Sequence, residues 1–408
     1  MEEWKEYKLG EVCSRLRSGK GIKADFISNT GKYPVIGGNG VRGYTDSYNF
    51  EGQAAVIGRQ GAYCGNVRFY EGQAHMTEHA VVVVGNELAD TFFLACVLSR
   101  MHLGNLSGQS AQPVISVQTL SKQTLRLPSI VYQKQVSDII KSLDDKIAVN
   151  KKICENLEAQ AQVLFKHWFI DFAPFKDGNF CANREQNETC FNSAEVQPKI
   201  TGKACKFVES ELGLIPEGWK VGTLGDLVIE VKKKVGSSSA KVLSPINAGK
   251  LVLSDEFFTK QVYSKSISKY IVVEPNDFAY NPARVNIGSI GRNEFDFTGC
   301  VSPVYVVFRC NEYYHYFIDF LRKTQYFKNN VNKLAIGGVR QTLRYEDMAR
   351  IPTVIPPVEI VISFNDVYES MYVKLKQLHS ENLRLASLRD TLLPKLMSGE
   401  IKVNEIAL

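Results

Sequence analysis

The feature that most constrains this chain is that it is written twice. Trp4-Lys5 followed by Leu9-Gly10-Glu11-Val12 returns 215 positions later as Trp219-Lys220 followed by Leu224-Gly225-Asp226-Leu227. Gly65-Asn66-Val67 has a counterpart in Gly288-Ser289-Ile290, and Gly108 with Gln112 has one in Gly337 with Gln341. Each copy then passes proline, Pro128 in the first and Pro356-Pro357 in the second, into a long charged segment with an apolar stripe. Both segments contain the same tripeptide, Glu155-Asn156-Leu157 and Glu381-Asn382-Leu383. A repeat of this kind means two similar modules, each closed by a long helix. Two versions of one surface suit a ligand with two sites.

At 408 residues and 44% apolar content, the chain exceeds one domain and can build real cores. A net charge of +6 and a pI near 8.7 permit an acidic partner such as DNA without requiring one. The nine cysteines stand singly at 13, 64, 96, 154, 181, 190, 205, 300 and 310, with no Cys-x-x-Cys, and the six histidines form no pair at metal spacing. This pattern argues against zinc or a disulfide framework and for a reducing, cytoplasmic setting. Cys181, Cys190 and Cys205 do share one low-order segment. The N-terminus is charged and no apolar run reaches the ~18 residues of a membrane span, so neither an export signal nor a membrane segment is expected.

The expected fold class is α/β, with two tandem mixed α/β domains joined by two long helices in an antiparallel, pseudo-two-fold coiled coil. The boundaries read as 1–130 for the first domain and 131–172 for the first helix. A linker or insertion follows at 173–214, then the second domain at 215–356, and the second helix with a tail at 357–408. Val81 to Val84 and Val301 to Phe308 read as buried strands, and Phe92 to Met101 as a short helix. From Tyr132 the period becomes helical, with Val136, Ile140, Leu143, Ile147, Asn150, Cys154, Leu157, Ala161, Leu164 and Trp168 alternating steps of four and three. The second seam runs Phe364, Tyr368, Met371, Leu375, Leu378, Asn382, Leu385, Arg389, Leu392, with Arg389 as a defect and Pro394 expected to stop the helix.

Helices of some 35 to 40 residues are roughly 50 to 60 Å long, more than a module of this size is wide, so each needs a partner along its length. The other copy is the nearest complement. An antiparallel pair would hold the modules at opposite ends, whereas a parallel pair would hold them side by side. The antiparallel register that sets Val136 against Leu396 also sets Asn150 against Asn382, a buried polar pair that fixes register at some expense of stability.

With these pieces in order, the chain resembles the specificity subunit of type I restriction-modification systems over nearly its full length. The resemblance rests on the module openings, Trp4-Lys5 with Leu9-Gly10-Glu11-Val12 and Gly213 to Trp219 with Leu224-Gly225-Asp226. It rests also on the helix end Leu164-Phe165-Lys166-His167-Trp168-Phe169-Ile170-Asp171-Phe172 and on Leu392-Leu393-Pro394-Lys395-Leu396-Met397-Ser398-Gly399-Glu400-Ile401. The resemblance implies two target recognition domains, each reading half of a split double-stranded DNA site. It implies two modification (methyltransferase) subunits docked on the helices, and a restriction subunit with translocase and nuclease activity in the larger complex. The stretch between Phe172 and Val208 departs from the family pattern by its length and its cysteines.

Base readout needs paired donors and acceptors on loops, with Lys and Arg for phosphates. In the first module the candidates are Arg17, Lys20, Lys23, Asn39, Arg42, Arg59, Gln60, Tyr63, Asn66, Gln109, Ser110 and Gln112. The neighbouring Gly19, Gly21, Gly38, Gly40, Gly61 and Gly108 are expected to let backbone approach DNA. In the second module they are Lys232, Lys233, Lys234, Ser237, Asn281, Arg284, Asn286, Ser289, Arg292, Arg340 and Gln341. Gln112 and Gln341, being repeat-equivalent, stand out.

Two motifs suggest an enzyme and fail on inspection. Gly38-Asn39-Gly40-Val41-Arg42-Gly43 has dinucleotide-loop spacing, but no amphipathic helix follows to hold a phosphate. Asn281-Pro282-Ala283-Arg284 is like the Asn-Pro-Pro-aromatic loop of adenine methyltransferases but carries arginine where an aromatic must stack on the base. With no Gly-Lys-Ser/Thr and no loop for a methyl donor, no catalytic residue, cofactor or metal is expected, and catalysis would belong to partner subunits. The rival readings are a self-sufficient DNA methyltransferase and a structural adaptor that binds no DNA.

Overall fold

In a computed structural model, residues 3–107, 113–176, 205–335 and 342–403 are described. The chain forms two compact units, Met1–Lys152 with Leu378–Leu408, and Ile153–Gln377.

The first unit contains β1 (Lys5–Lys8), β2 (Cys13–Ser18), β3 (Tyr33–Gly37), β4 (Gly40–Thr45), β5 (Phe50–Gly58), β6 (Val67–Met76), β7 (Ala80–Gly85), α1 (Thr91–Arg100), α2 (Val117–Ser121) and β8 (Thr124–Leu127), and the start of α3 (Ile130–Phe169). Six strands form one sheet in the order β2-β7-β5-β6-β3-β4. Its centre explains the apolar runs in β5 and β7. Ala55, Ile57, Val81 and Val83 face one core with Phe92, Phe93 and Leu94 of α1, while Ala54, Val56, Ala80 and Val82 face another with Ile36 and Met76. Strands covered on both faces lose the polar half of the period-two alternation. The helix starts at Thr91 because the Asp90 carboxylate accepts from Phe93 N at 2.9 Å.

The second unit contains the end of α3, then α4 (Ala173–Lys176), β9 (Phe207–Ser210), β10 (Gly213–Pro216), β11 (Lys220–Thr223), β12 (Val228–Glu230), β13 (Lys241–Ile246), β14 (Lys250–Leu253), α5 (Ser254–Phe257), β15 (Ile271–Val273), β16 (Phe278–Tyr280), β17 (Ile290–Arg292), β18 (Gly299–Val301), β19 (Val306–Cys310), α6 (His315–Leu321), α7 (Gln325–Leu334), α8 (Tyr345–Ala349), β20 (Pro352–Ile355) and the start of α9 (Val358–Ser398). Two four-stranded sheets run β12-β19-β16-β17 and β14-β13-β18-β15.

Three expectations need correction. The run from Val301 to Phe308 is two strands, because Pro303 cannot donate to a ladder and the chain turns there, with Tyr305 N bonded to Ser302 O at 3.0 Å. The stretch read as a linker carries α4 at its start and the β9–β10 hairpin at its end; its residues 177–204, with Cys181 and Cys190, lie outside the described residues. Helix α9 also continues through Pro394 to Ser398. Proline there loses only one intrahelical bond, and the turn beyond it is anchored by Leu396, fully buried in the first unit's core.

The repeat survives as shared structure. Lys8 N donates to Glu11 Oε2 at 2.8 Å and Thr223 N to Asp226 Oδ2 at 2.7 Å, closing the same 3-10 turn in each module. Leu9 N and Leu224 N then bond Gln123 O and Ile351 O, both at 2.8 Å. The preceding strands pair alike, β1 with β8 and β11 with β20.

The long helices run antiparallel in each unit. In the first, Asn150 Nδ2 donates to Asn382 Oδ1 at 3.1 Å and to Glu381 Oε2 at 2.8 Å, which is the register the seams specify. The seam defect Arg389 bonds Asp144 Oδ1 at 2.7 Å, and Tyr132 hydroxyl donates to Leu396 O at 3.1 Å. In the second, the seam is aromatic: Phe165 and Trp168 of α3 each lie 6.0 Å from Phe364 of α9, and Phe165 stacks on Phe320 of α6 at 5.3 Å.

Candidate nucleic-acid interface

In the first unit four loops converge at one edge of the sheet. They are the segment after β2 (residues 19–23), the β3–β4 turn, the β5–β6 connection (59–66) and the β6–β7 turn (77–79). Backbone bonds knit them together: Lys20 N to Met76 O at 2.9 Å, Thr77 N to Ile36 O at 2.9 Å and Arg59 N to His79 O at 2.9 Å. Two of the glycines allow this convergence. A Cβ on Gly19 would stand 2.1 Å from Met76 O, and one on Gly38 would stand 3.1 Å from His79 O and 3.2 Å from Gly58 Cα.

Of the predicted residues, this edge gathers Lys20, Lys23, Asn39, Arg42, Arg59, Gln60, Tyr63 and Asn66, all exposed except half-buried Arg59, with Arg17 exposed on the adjoining strand β2. Arg17, Lys20, Lys23, Arg42 and Arg59 form no ion pair among the described residues. Sequence reasoning missed four more. Arg68 of β6 donates to Asn39 Oδ1 at 3.2 Å, and the β6–β7 turn supplies Thr77, Glu78 and His79. Among the described residues, buried side-chain atoms without a hydrogen-bond partner concentrate here: Ser18 Oγ, Arg59 Nε, His75 Nδ1, Thr77 Oγ1, Glu78 Oε2 and His79 Nδ1. Buried polar atoms of this kind are satisfied by ordered water or by a bound partner. No local motif flags this turn; its neighbours come from sequence positions 20 to 60 residues away.

The second unit places its candidates differently. Lys232 and Lys233 are exposed but pair with Glu230 at 2.6 Å and Glu274 at 3.7 Å, while Lys234 is exposed and outside any ion pair among the described residues. Asn281 and Arg284 line a groove of about 500 Å³ with Phe257, Phe258, Tyr270 and Tyr305. Burial raises the Tyr305 phenol, so it remains a hydroxyl donor. Asn286 is exposed on the same turn.

Two candidates are corrected. Arg292 is 2% exposed; it bonds Asn276 Oδ1 at 2.6 Å and lies 4.9 and 5.1 Å from the Tyr316 and Tyr372 rings. Ser289 is 1% exposed and donates to Pro245 O at 2.8 Å. Arg292 holds the fold and is closed to a ligand; Ser289 has its hydroxyl hydrogen taken by Pro245 O, at the wall of the groove that Asn281 and Arg284 also line. Gln109, Ser110, Gln112, Arg340 and Gln341 lie outside the described residues.

Residues 38–43 make a hairpin turn and strand β4 rather than a turn into a helix. In the 281–284 turn Asn281 Oδ1 accepts from Ala283 N at 3.0 Å. Burial pushes the Cys13 and Cys96 thiols up to about 12, which leaves them protonated. Among the described residues no three His, Cys, Asp or Glu side chains converge as metal ligands, and no helix is long and apolar enough to cross a membrane.

Tandem mixed α/β modules, a shared opening turn and long helices that run antiparallel within each unit are features this chain shares with type I restriction-modification specificity subunits, to which it is similar in sequence and in fold. Residues 1–159 match the type I restriction modification DNA specificity domain. The type I restriction enzyme MjaIX specificity subunit of Methanocaldococcus jannaschii is 26% identical over 320 residues, 75% of this chain and 67% of that protein. The EcoprrI specificity subunit of Escherichia coli is 38% identical over 146 residues, 35% of this chain and 36% of its own length. A crystal structure of a type I S subunit from M. genitalium shares the fold, with a TM-score of 0.63 over 97% of this chain and 96% of its own at 14% identity.

Proposed function

We propose that this chain is the DNA-recognition subunit of a type I restriction-modification complex. It reads a bipartite double-stranded site, one half per module, and directs adenine methylation, and cleavage where a restriction subunit is present, by partner subunits. It carries no catalytic residue of its own and works in the cytoplasm. The observation that carries this reading is the loop edge of the first unit, where cations that form no ion pair among the described residues stand beside buried polar atoms that form no hydrogen bond among them. Lys and Arg neutralise phosphates while loop polar groups meet base edges.

The partners are two modification subunits. In the first unit, Val149 (51%), Leu383 (74%) and Leu388 (44%) leave apolar surface exposed on the helices, and exposed apolar surface of this kind favours a protein partner. Helix length would set the gap between the two half-sites. The test is binding by the assembled complex to its methylation site at several salt concentrations. Affinity should fall steeply, by about three orders of magnitude or more between 50 and 200 mM salt if six or more phosphates are contacted. A salt-independent affinity would remove the proposal.

A further inference from the structure

We infer that Glu78, presented by the β6–β7 turn, is a specificity-determining residue that accepts a hydrogen bond from a base amino group in the major groove. This inference rests on the DNA-recognition reading above and names the chemistry of one contact within it.

A carboxylate beside DNA repels phosphates, so on a cationic edge it needs another role. Glu78 is held at that edge rather than hanging from it. Its neighbours in the turn are tied on both sides, Thr77 N to Ile36 O and His79 O to Arg59 N, both at 2.9 Å. Its side chain is 46% exposed and forms no ion pair with Lys20, Arg42, Arg59 or Arg68. Oε1 lies 3.2 Å from His79 Nε2, while Oε2 is turned inward, buried and without a hydrogen-bond partner among the described residues. Oε2 sits 3.4 Å from where a Cβ would stand on Gly21, so the loop after β2 backs the carboxylate and limits its rotation. The exposed part of the side chain, on the Oε1 side, is an acceptor-only group on an edge that carries Lys20 and Arg42, and is complementary to a base that presents an exocyclic amino group. In the major groove those are cytosine N4 and adenine N6, and a carboxylate pairs most directly with cytosine. Thr77, 0% exposed with Oγ1 unpartnered, and His79, with Nδ1 unpartnered, supply adjacent polar atoms that a shift of the turn onto DNA would satisfy.

The experiment uses the assembled complex of this chain with its modification subunits. It selects bound duplexes from a library randomised in both half-sites and sequences them, for wild type, Glu78→Ala, the near-isosteric Glu78→Gln and Lys20→Ala. Glu78→Ala should lower discrimination by about 10-fold or more at one position of one half-site, a position held by C or A in wild type. Glu78→Gln, which adds a donor, should shift that position towards adenine. The other half-site should not change. Lys20→Ala should weaken all sequences alike. Unchanged preferences in both Glu78 variants, or a uniform loss across all sequences, overturns the assignment while leaving DNA recognition standing. A wild-type complex without any sequence preference defeats the recognition reading itself.

Discussion

The two modules open with the same turn and close with the same kind of helix, yet equivalent positions do different work. Asn66 follows Gly65 at an exposed loop edge, whereas its repeat partner Ser289 follows Gly288 and is sealed against Pro245. Both glycines take positive φ, 81° and 92°, so the backbone device is shared while the side chain's surroundings are not. The first module leaves its polar atoms unmet at a loop edge; the second spends charge inside. Asp319, 1% exposed, receives Arg322 Nε at 2.9 Å and Lys323 Nζ at 3.0 Å, and Arg322 bonds Ile290 O and Gly249 O at 3.2 and 3.0 Å. That cluster ties α6 to the loop before β14 and to the start of β17. A repeat therefore transmits backbone geometry more faithfully than it transmits the role of a residue.

The sharpest way to break this comparison is to remove the buried charge. Asp319→Asn leaves Arg322 without its counter-ion and should destabilise the second unit by about 3–5 kcal/mol. Hydrogen exchange followed by mass spectrometry should show faster exchange in α6 and β17, with the first unit's sheet unaffected. Acid should act in the same place. Burial alone would raise the Asp319 carboxyl, but Arg322, Lys323 and Arg292 outweigh it and hold the group well below its ordinary value. Burial, with Arg292 adding to it, lowers the His315 imidazole to about 4. Both folded-state values are depressed, so their contribution is complete above the unfolded values and is lost as pH falls through the folded ones. The second unit should weaken between pH about 6.5 and 4 through His315, and further below about 4 through Asp319. Equal acid sensitivity of both units would contradict the asymmetry.

Arg292 provides the next test. Replacing it with methionine keeps an unbranched apolar stem but removes the charge between Tyr316 and Tyr372, and should cost roughly 2 kcal/mol of stability. DNA half-site preference, measured where the variant remains folded, should be unchanged; a changed preference would return Arg292 to the reading surface. By contrast Arg284→Ala, at the groove mouth, should weaken DNA binding by about 1 kcal/mol and flatten the salt dependence by about one charge. If it alters neither, the groove of the second unit faces something other than DNA.

What the sequence revealed follows physical range. The seam and its register were legible because a heptad pattern repeats over some forty residues, and one asparagine in each seam leaves a single antiparallel alignment that pairs them. The burial of β7 was legible from four consecutive valines. Arg292 was not: it looks like a loop cation, and only the pairing of β17 with β16, and the packing of α6 and α9 against it, turn it inward. Thr77 and Glu78 were missed for the converse reason. They look like an ordinary turn, and what makes it distinctive is that Met76, Thr77 and His79 in and beside it bond the backbone of residues 20, 36 and 59.

The smallest expected effect separates the two halves of the helical seam. In the second unit the layer is built from Phe165, Trp168, Phe364 and Tyr368. In the first it contains Asn150, fully buried, with Nδ2 shared between Glu381 and Asn382 and Oδ1 without a partner. Asn150→Leu removes an imperfectly satisfied buried amide and adds apolar volume, while Glu381 and Asn382 are only half-buried and can turn to water. The variant should be neutral or more stable by about 1 kcal/mol in thermal unfolding. Its loss should be in uniqueness, because a leucine layer fits shifted alignments that an asparagine layer does not. Disulfide trapping between cysteines placed at seam positions 143 and 389 should then yield crosslinks in more than one register, where the parent seam yields one. A variant that is less stable yet keeps a single register would mean the amide contributes binding energy rather than alignment.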